Sequence, residues 1–276
     1  MGIRINTNMA SINAQRLLSN TSRALSSSYE RLSSGNRINK AGDDAAGLAI
    51  SENLKGQIRG LRQAKRNASD GISMVQVTEG GLNEISDILI RLRELSVQSA
   101  SDTIGDSERA FTDLEFQSLK KEIQRIAETT AFNGTHLLAG KDKAVDIQVG
   151  IFSTINDKIS YDTKLADSRL EALGVQDEQV LTKESAQKSL AKLDAGLKRV
   201  NETRSTLGAM QNRLQSTINN LSIYDVNLSA ANSLIRDTDI AEESSELVKQ
   251  QILQQAGVSV LSNANSSQQV AMKLLG

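Results

Sequence analysis

Residues 186–235 read AQKSLAKLDAGLKRVNETRSTLGAMQNRLQSTINNLSIYDVNLSAANSLI. Within this stretch Ala186, Leu190, Leu193, Leu197, Val200, Arg204, Leu207, Gln211, Leu214, Ile218, Leu221, Asp225, Leu228, Asn232 and Ile235 stand alternately four and three residues apart. That is the a/d spacing of a coiled coil, which presents one continuous seam to a partner helix. A helix of this length reaches about 75 Å at 1.5 Å per residue. The spacing therefore predicts a long rod in place of a round globule. The polar entries Arg204, Gln211, Asp225 and Asn232 weaken the seam locally and fix its register, the use such positions best serve.

A second heptad follows at Ile240, Ser244, Leu247, Gln251, Gln254, Val258, Leu261, Asn265, Gln268, Met272 and Leu275. Arg236-Asp237-Thr238-Asp239 separates the two and reads as a break, with Asp237 or Thr238 capping the new helix. On the N-terminal side Met9 and Ile12 begin a helical pattern, and Leu18, Thr21, Leu25, Ser28 and Leu32 carry a stripe of three and four. Gly35 is placed to cap that helix at its C-terminus, and a loop runs on to Gly47. Leu54, Ile58, Leu61, Ala68, Ile72, Val75, Leu82, Ile85, Ile88, Leu92 and Leu95 then predict another long helix, and Phe116, Leu119, Ile123 and Ile126 a shorter one. Each glycine at 56, 60, 71, 80 and 81 costs about 1 kcal/mol against Ala but allows close approach. The period changes at Val145, Ile147 and Val149 and again at Ile155, Asp157, Ile159 and Tyr161, which alternate as a hairpin does. Residues 163–182 read as irregular and exposed.

The expected fold is mainly α: an elongated antiparallel coiled-coil or helical-bundle rod with one small β-hairpin region. The chain goes out and returns, so its two terminal helices lie together. Composition agrees. None of the 276 residues is Pro, the residue that breaks helix interiors. Aromatics are only 3%, too few to bulk out a round core.

Composition also excludes functions. With no Cys there is no disulfide scaffold, thiolate metal site or Cys nucleophile. His136 is the single His, whereas an HExxH zinc site needs two; it follows a turn at Asn133-Gly134 and reads as a surface or packing residue. Lys and Arg total 32 against 33 for Asp and Glu, so no global field draws nucleic acid or anionic membrane. No apolar run approaches the roughly 18 residues of a membrane span, and Met1 to Asn6 lacks the apolar core of a cleavable signal peptide. Gly134 to Lys141 has the wrong spacing for a phosphate loop, and Asp142 stands where that loop needs Ser or Thr. The expectation is no enzyme, no cofactor and no metal.

The terminal segments are amphipathic but rich in Ser, Asn, Gln and Ala. A fully buried Leu contributes roughly 1.5–3 kcal/mol, while ordering each residue costs about 1–2. Such helices are expected to fray alone and to fold against copies of themselves. An intramolecular pair with no further partner is the other reading of the same spacing.

Several segments resemble bacterial flagellin: Ile5-Asn6-Thr7-Asn8-Met9-Ala10-Ser11, Leu32-Ser33-Ser34-Gly35-Asn36-Arg37-Ile38-Asn39 and Asp43-Asp44-Ala45-Ala46-Gly47-Leu48-Ala49-Ile50-Ser51. Gln57-Ile58-Arg59-Gly60-Leu61, Arg91-Leu92-Arg93-Glu94-Leu95-Ser96-Val97-Gln98, Phe132-Asn133-Gly134 and the stretch from Gln255-Ala256 to Leu275 are similar to it as well. The likeness spans nearly the whole chain.

The resemblance implies a subunit that polymerises into the flagellar filament, outside the cell, after export as an unfolded chain through the flagellar export channel. It implies an inner shell, D0, from residues 1–42 and 237–276, and a next shell, D1, from residues 43–182 and 183–236, with no further outer domain. The D0 stripes would be Met9, Ile12, Leu18, Leu25 and Leu32 on one side. On the other they would be Ile240, Leu247, Val258, Leu261, Met272 and Leu275, the region that an export chaperone holds. Gly35, Asp43, Asp44 and Gly47 would lie in the segment linking the shells, with Asp43 and Asp44 capping the helix that follows. Arg91, Leu95 and Glu122 would form a patch for neighbouring subunits and an innate-immune receptor of the host; Ile90 stands where many members carry Gln. Partners implied are the chain itself, the export chaperone, and cap and hook-associated proteins. A hook–filament junction protein is the close alternative, and a secreted coiled-coil adhesin or immune ligand the more distant one.

Overall fold

The computed structural model describes residues 7–141 and 144–273, with side chains through Ser267. Ile5, Asn6, the side chains of Gln268 and Met272, and Leu275 lie outside the described residues. The elements in order are α1 (Met9–Ser34), α2 (Ala45–Ser99), α3 (Asp106–Thr129), β1 (Ala131–Phe132), β2 (Thr135–His136), β3 (Val145–Gln148), β4 (Lys158–Tyr161), α4 (Leu170–Leu173), α5 (Lys183–Arg236) and α6 (Ile240–Lys273). The chain is mainly α, as the heptads require. Packing divides it into two units, one within Met1–Ile58 and Val226–Gly276, the other Arg59–Asp225. α2 and α5 contribute residues to both.

In the unit 59–225, α2 and α5 run antiparallel. Arg62 pairs with Asp225 at 3.1 Å, Arg204 with Glu79 at 3.9 Å and Arg93 with Asp194 at 2.7 Å. On α5 the residues seven apart, Ala186, Leu193, Val200, Leu207, Leu214 and Leu221, are buried, while the alternate heptad positions such as Leu197 and Gln211 are half-buried. α3 adds Phe116, Ile123 and Ala127 to the same core. Two glycines of α2 let neighbouring segments approach closely: a Cβ on Gly71 would sit 2.7 Å from Ile147, and one on Gly81 2.8 Å from Thr130 and 2.9 Å from Leu138.

Three expectations are corrected in this unit. There are two hairpins, not one. β1 and β2 pair antiparallel, Ala131 with His136 and Phe132 with Thr135, around Asn133 (φ 47) and Gly134 (φ 81). This is the backbone that Asn-Gly favours in a two-residue hairpin turn. The larger hairpin pairs Val145 with Tyr161 and Ile147 with Ile159, but its second strand starts only at Lys158. Ile155–Asp157 is a short 3₁₀ turn, held where the Thr154 hydroxyl donates to Asp157 at 2.5 Å. Residues 163–182 are not exposed throughout: Thr163, Ala166, Ser168, Leu173, Val175 and Val180 are all buried. Their short apolar run closes over α3, a tertiary contact that local periodicity does not encode.

In the other unit α1 and α6 pair antiparallel, so the terminal helices do meet. Asn8 caps α1 by accepting from the Ser11 amide at 3.0 Å and donates across to the Ala264 carbonyl at 2.9 Å. Gly35 ends α1 with φ 70, its N–H donating to the Arg31 carbonyl at 2.8 Å. α6 is capped by Asp239, which accepts from Ala241 and Glu242 amides at 2.8 and 3.2 Å. Asp237 and Thr238 do not take that role, because both are drawn toward the other chain segment: Asp237 bridges Asn36, and the Thr238 amide donates to the Gly35 carbonyl at 3.0 Å.

Candidate functional site

The terminal pair is built from a narrow stripe. On α1 the residues facing α6 are Ser11, Ala14, Leu18, Thr21, Leu25, Ser28 and Leu32, spaced three and four throughout. Only Ser11, Ala14 and Ser28 are fully buried. Met9 and Ile12 fall off this stripe and are 60% and 50% exposed. On α6 Leu247, Gln250, Gln254, Gly257 and Leu261 are partly covered. Gly257 comes within ordinary contact of Leu18, a Cβ there lying 3.4 Å from its Cδ1. Ile240 and Val258 are 55% and 54% exposed, so the heptad read from the sequence drifts off the intramolecular seam. Polar groups stitch it: Ser11 donates to Asn265 at 2.9 Å and Gln251 to the Tyr29 hydroxyl at 2.9 Å.

The remaining circumference of α6 is mixed: Glu242, Ser245, Lys249, Gln255, Ser259, Ser262 and Asn263 are exposed there, with apolar residues among them. Val248, Ile252, Leu253 and Val260 also stand exposed, pointing away from α1. Val248 and Ile252, four residues apart, share one face, and an exposed apolar patch marks an interaction site.

The loop between α1 and α2 is held by its own residues. Asp43 accepts from the Asn39 and Lys40 amides, each at 3.0 Å, and the Lys40 and Asn39 bonds hold its carboxyl below the usual carboxylate range. Asp44 accepts from the Gly47 amide at 2.9 Å, so Asp44 is the cap of α2. Gly47 has no room for a side chain: a Cβ would lie 2.4 Å from the Asp44 carboxylate and 2.8 Å from Ile38. The opposite connection is clamped by Arg236, which pairs with Glu52 and holds the Glu52 carboxyl low. Arg37 donates to the Ile235 carbonyl at 2.8 Å.

Of the patch expected at Arg91, Leu95 and Glu122, Leu95 is not on the surface. Arg91 is exposed and bridges Glu115 at 2.9 Å and Glu94 at 3.0 Å. Leu95 is 2% exposed and belongs to the core; the apolar stripe of α2 outweighs its place in the motif. Glu122 pairs instead with Arg125 at 2.5 Å. Ile90, beside Arg91, is 46% exposed.

Two structural cations escaped sequence reading. Lys120 is buried, with its ammonium donating to the Gln176 and Glu178 carbonyls at 2.7 and 2.8 Å and lying 5.9 Å from the Phe116 ring. Arg109 donates to the Ser99 and Ser101 carbonyls at 3.0 and 2.9 Å, closing the C-terminal end of α2. Tyr161 donates to the Leu137 carbonyl at 3.0 Å, and burial pushes its phenol well up. These groups anchor loops. Among the described residues no helix is long and apolar enough to cross a membrane.

Residues 5–143 match the bacterial flagellin N-terminal helical region, and residues 190–275 the bacterial flagellin C-terminal helical region. The chain is 45% identical over 271 residues to a flagellin of Halalkalibacterium halodurans, covering 98% of this chain and 99% of that one. It is 41% identical over 283 residues to the flagellar filament 30.7 kDa core protein of Treponema maltophilum, at 98% and 99% coverage. Among solved structures it is similar to the crystal structure of Bacillus cereus flagellin, with a TM-score of 0.51 and 29% identity over 60% of this chain and 94% of that one.

Proposed function

The chain belongs to the bacterial flagellin family, and from that premise we propose that α1 and α6 are the surfaces through which it polymerises. As a flagellin it is a structural subunit of the flagellar filament, a homopolymer, and not an enzyme. The observation that carries the assembly reading is the set of exposed apolar residues on α6. α1 covers one side, and Val248, Ile252, Leu253 and Val260 stand in water on the others. Neighbouring copies supply the missing cover. The seam residues Ser11, Ala14 and Ser28 bring little apolar area, so the pair holds weakly in a free monomer and firmly once surrounded.

The same exposed face of α6 is the natural surface for an export chaperone, which would shield it before assembly. Export as an unfolded chain suits a sequence with neither Cys nor Pro, since no disulfide traps it and no prolyl isomerisation slows its refolding. The filament then stands outside the cell, with D0 built from the terminal helices and D1 from the long ones, and cap and hook-associated proteins meeting the ends of the polymer. An innate-immune receptor of the host reading α2 and α3 would meet Arg91 with Glu94 and Glu115, not Leu95. Flagellins matched over 98% of the chain favour this reading over a junction protein or an adhesin.

Seeding purified monomer with filament fragments, followed by electron microscopy, tests the proposal. Elongation from the seed ends is expected. Monomer that stays unpolymerised across a range of salt concentrations would sink it.

A further inference from the structure

We propose that a groove in the unit 59–225 receives the first turns of α3 from a second copy of the chain. This inference rests on the filament reading and adds a specific contact to it. The groove, of about 770 Å³, lies between the 162–166 segment and α5. Leu207 and half-buried Met210 line its floor, and Leu165, 71% exposed, forms one lip. Lys198, Arg199 and Arg213 stand on it against Asp162 and Glu202. Among the described residues Lys198 and Arg213 form no ion pair, and Arg199 donates to the Ala172 carbonyl at 2.9 Å. The lining is thus apolar below and net positive above.

The complementary surface is on α3. Phe111 and Leu114 are 72% and 67% exposed, and their i, i+3 spacing puts them on one face. Residues 106–115 contain Asp106, Glu108, Asp113 and Glu115 against Arg109, a net charge of −3 that the Arg91 bridging Glu115 reduces to −2. Another exposed apolar pair, Phe152 and Ile155 beside β4, lies next to Asp157 and Lys158, whose charges cancel. Charge therefore selects α3. Patch and groove are different surfaces, so each docked copy leaves one of each free. Such a head-to-tail contact repeats without closing, as a filament needs. Facing charges of opposite sign also make the contact weaken with added salt.

The chain contains no native Cys, which makes the test clean. Filaments grown from a mixture of Leu114→Cys and Leu165→Cys subunits should give disulfide-linked heterodimers on oxidation, with none from either variant alone. Phe111→Cys mixed with Ala209→Cys is the second pair. Filaments that form but give no heterodimer from either mixture overturn the docking and leave the filament reading intact. Wild-type chain that forms no filament at all removes the filament reading instead. As an independent arm, Leu114→Lys should raise the critical concentration at least tenfold, and adding Leu165→Glu should restore it to within about threefold of wild type. An unchanged critical concentration in Leu114→Lys, or no rescue by Leu165→Glu, overturns the proposal.

Discussion

Replacing Lys120 tests whether the 163–182 segment is held by the contacts described. Its ammonium makes two charge-assisted hydrogen bonds, to the Gln176 and Glu178 carbonyls. Bonds of this kind contribute about 1.5–3 kcal/mol each. Taking the ammonium out of water offsets much of that sum, by several kcal/mol. Lys120→Met keeps most of the stem packed on Phe116 but leaves both carbonyls without their donor, so a loss of about 1–3 kcal/mol is expected. Lys120→Ala removes further methylenes at about 0.8 kcal/mol each and should lose about 2 kcal/mol more. Urea unfolding followed by circular dichroism reads the loss, and hydrogen exchange over Gln176 to Val180 localises it. Alkaline pH gives a second signature. Burial draws the Lys120 pKa down, against the pull of Asp113, Glu178 and Asp177. The unfolded chain therefore holds this proton to higher pH than the folded one, and stability rises as pH climbs from the folded value to the ordinary lysine value. Lys120→Met should lack that rise. A Lys120→Met protein within about 0.5 kcal/mol of wild type, with unchanged exchange over 176–180, would refute the reasoning.

Gly71→Ala gains about 1 kcal/mol of helix propensity but sets a methyl 2.7 Å from Ile147. Overpacking costs about 1–3 kcal/mol, so a net loss of up to about 2 kcal/mol is expected in urea titration, and Gly56→Ala, with open space around it, should be stabilising. Leu207→Ala, at a fully buried heptad position, should cost about 2–5 kcal/mol in the same assay. Asp43 and Glu52 have carboxyls held low by the Lys40 amide and by Arg236 respectively. Their stabilisation is present above the ordinary carboxylate pKa and is lost as pH falls through the lowered folded values. Amide protection, relative to the intrinsic exchange rate at each pH, should fall over residues 36–52 in acid, and less steeply in Asp43→Asn.

Much of this was legible along the chain because it repeats along the chain. The α5 heptad and the α1 stripe from Leu18 to Leu32 report one-dimensional periodicity, and both lie where the spacing puts them. The Asn133-Gly134 turn was legible too, although its two-residue strands were too short to carry a period. What failed was what depends on distant chain. Val175 and Val180 are buried in a segment that α3 holds, Lys120 donating to the Gln176 and Glu178 carbonyls and Asp113 accepting from the Val180 amide. Asp239 caps α6 because Asp237 and Thr238 are already engaged with Asn36 and Gly35. Met9 and Ile12 continue an apolar pattern but not the intramolecular seam. Leu95 carried two readings, core stripe and surface motif, and the buried environment between α2 and its neighbours decides for the stripe.

The central claim is that the outward face of α6 is covered by other copies of the chain. The most direct measurement is the critical concentration for elongation of full-length protein carrying Val248→Asp and Ile252→Asp. Each apolar side chain is worth about 1.5–3 kcal/mol when buried, and about 1.4 kcal/mol is tenfold in an equilibrium constant. A rise of at least about a hundredfold is expected, with unchanged helicity of the monomer. Elongation at the wild-type critical concentration would contradict it.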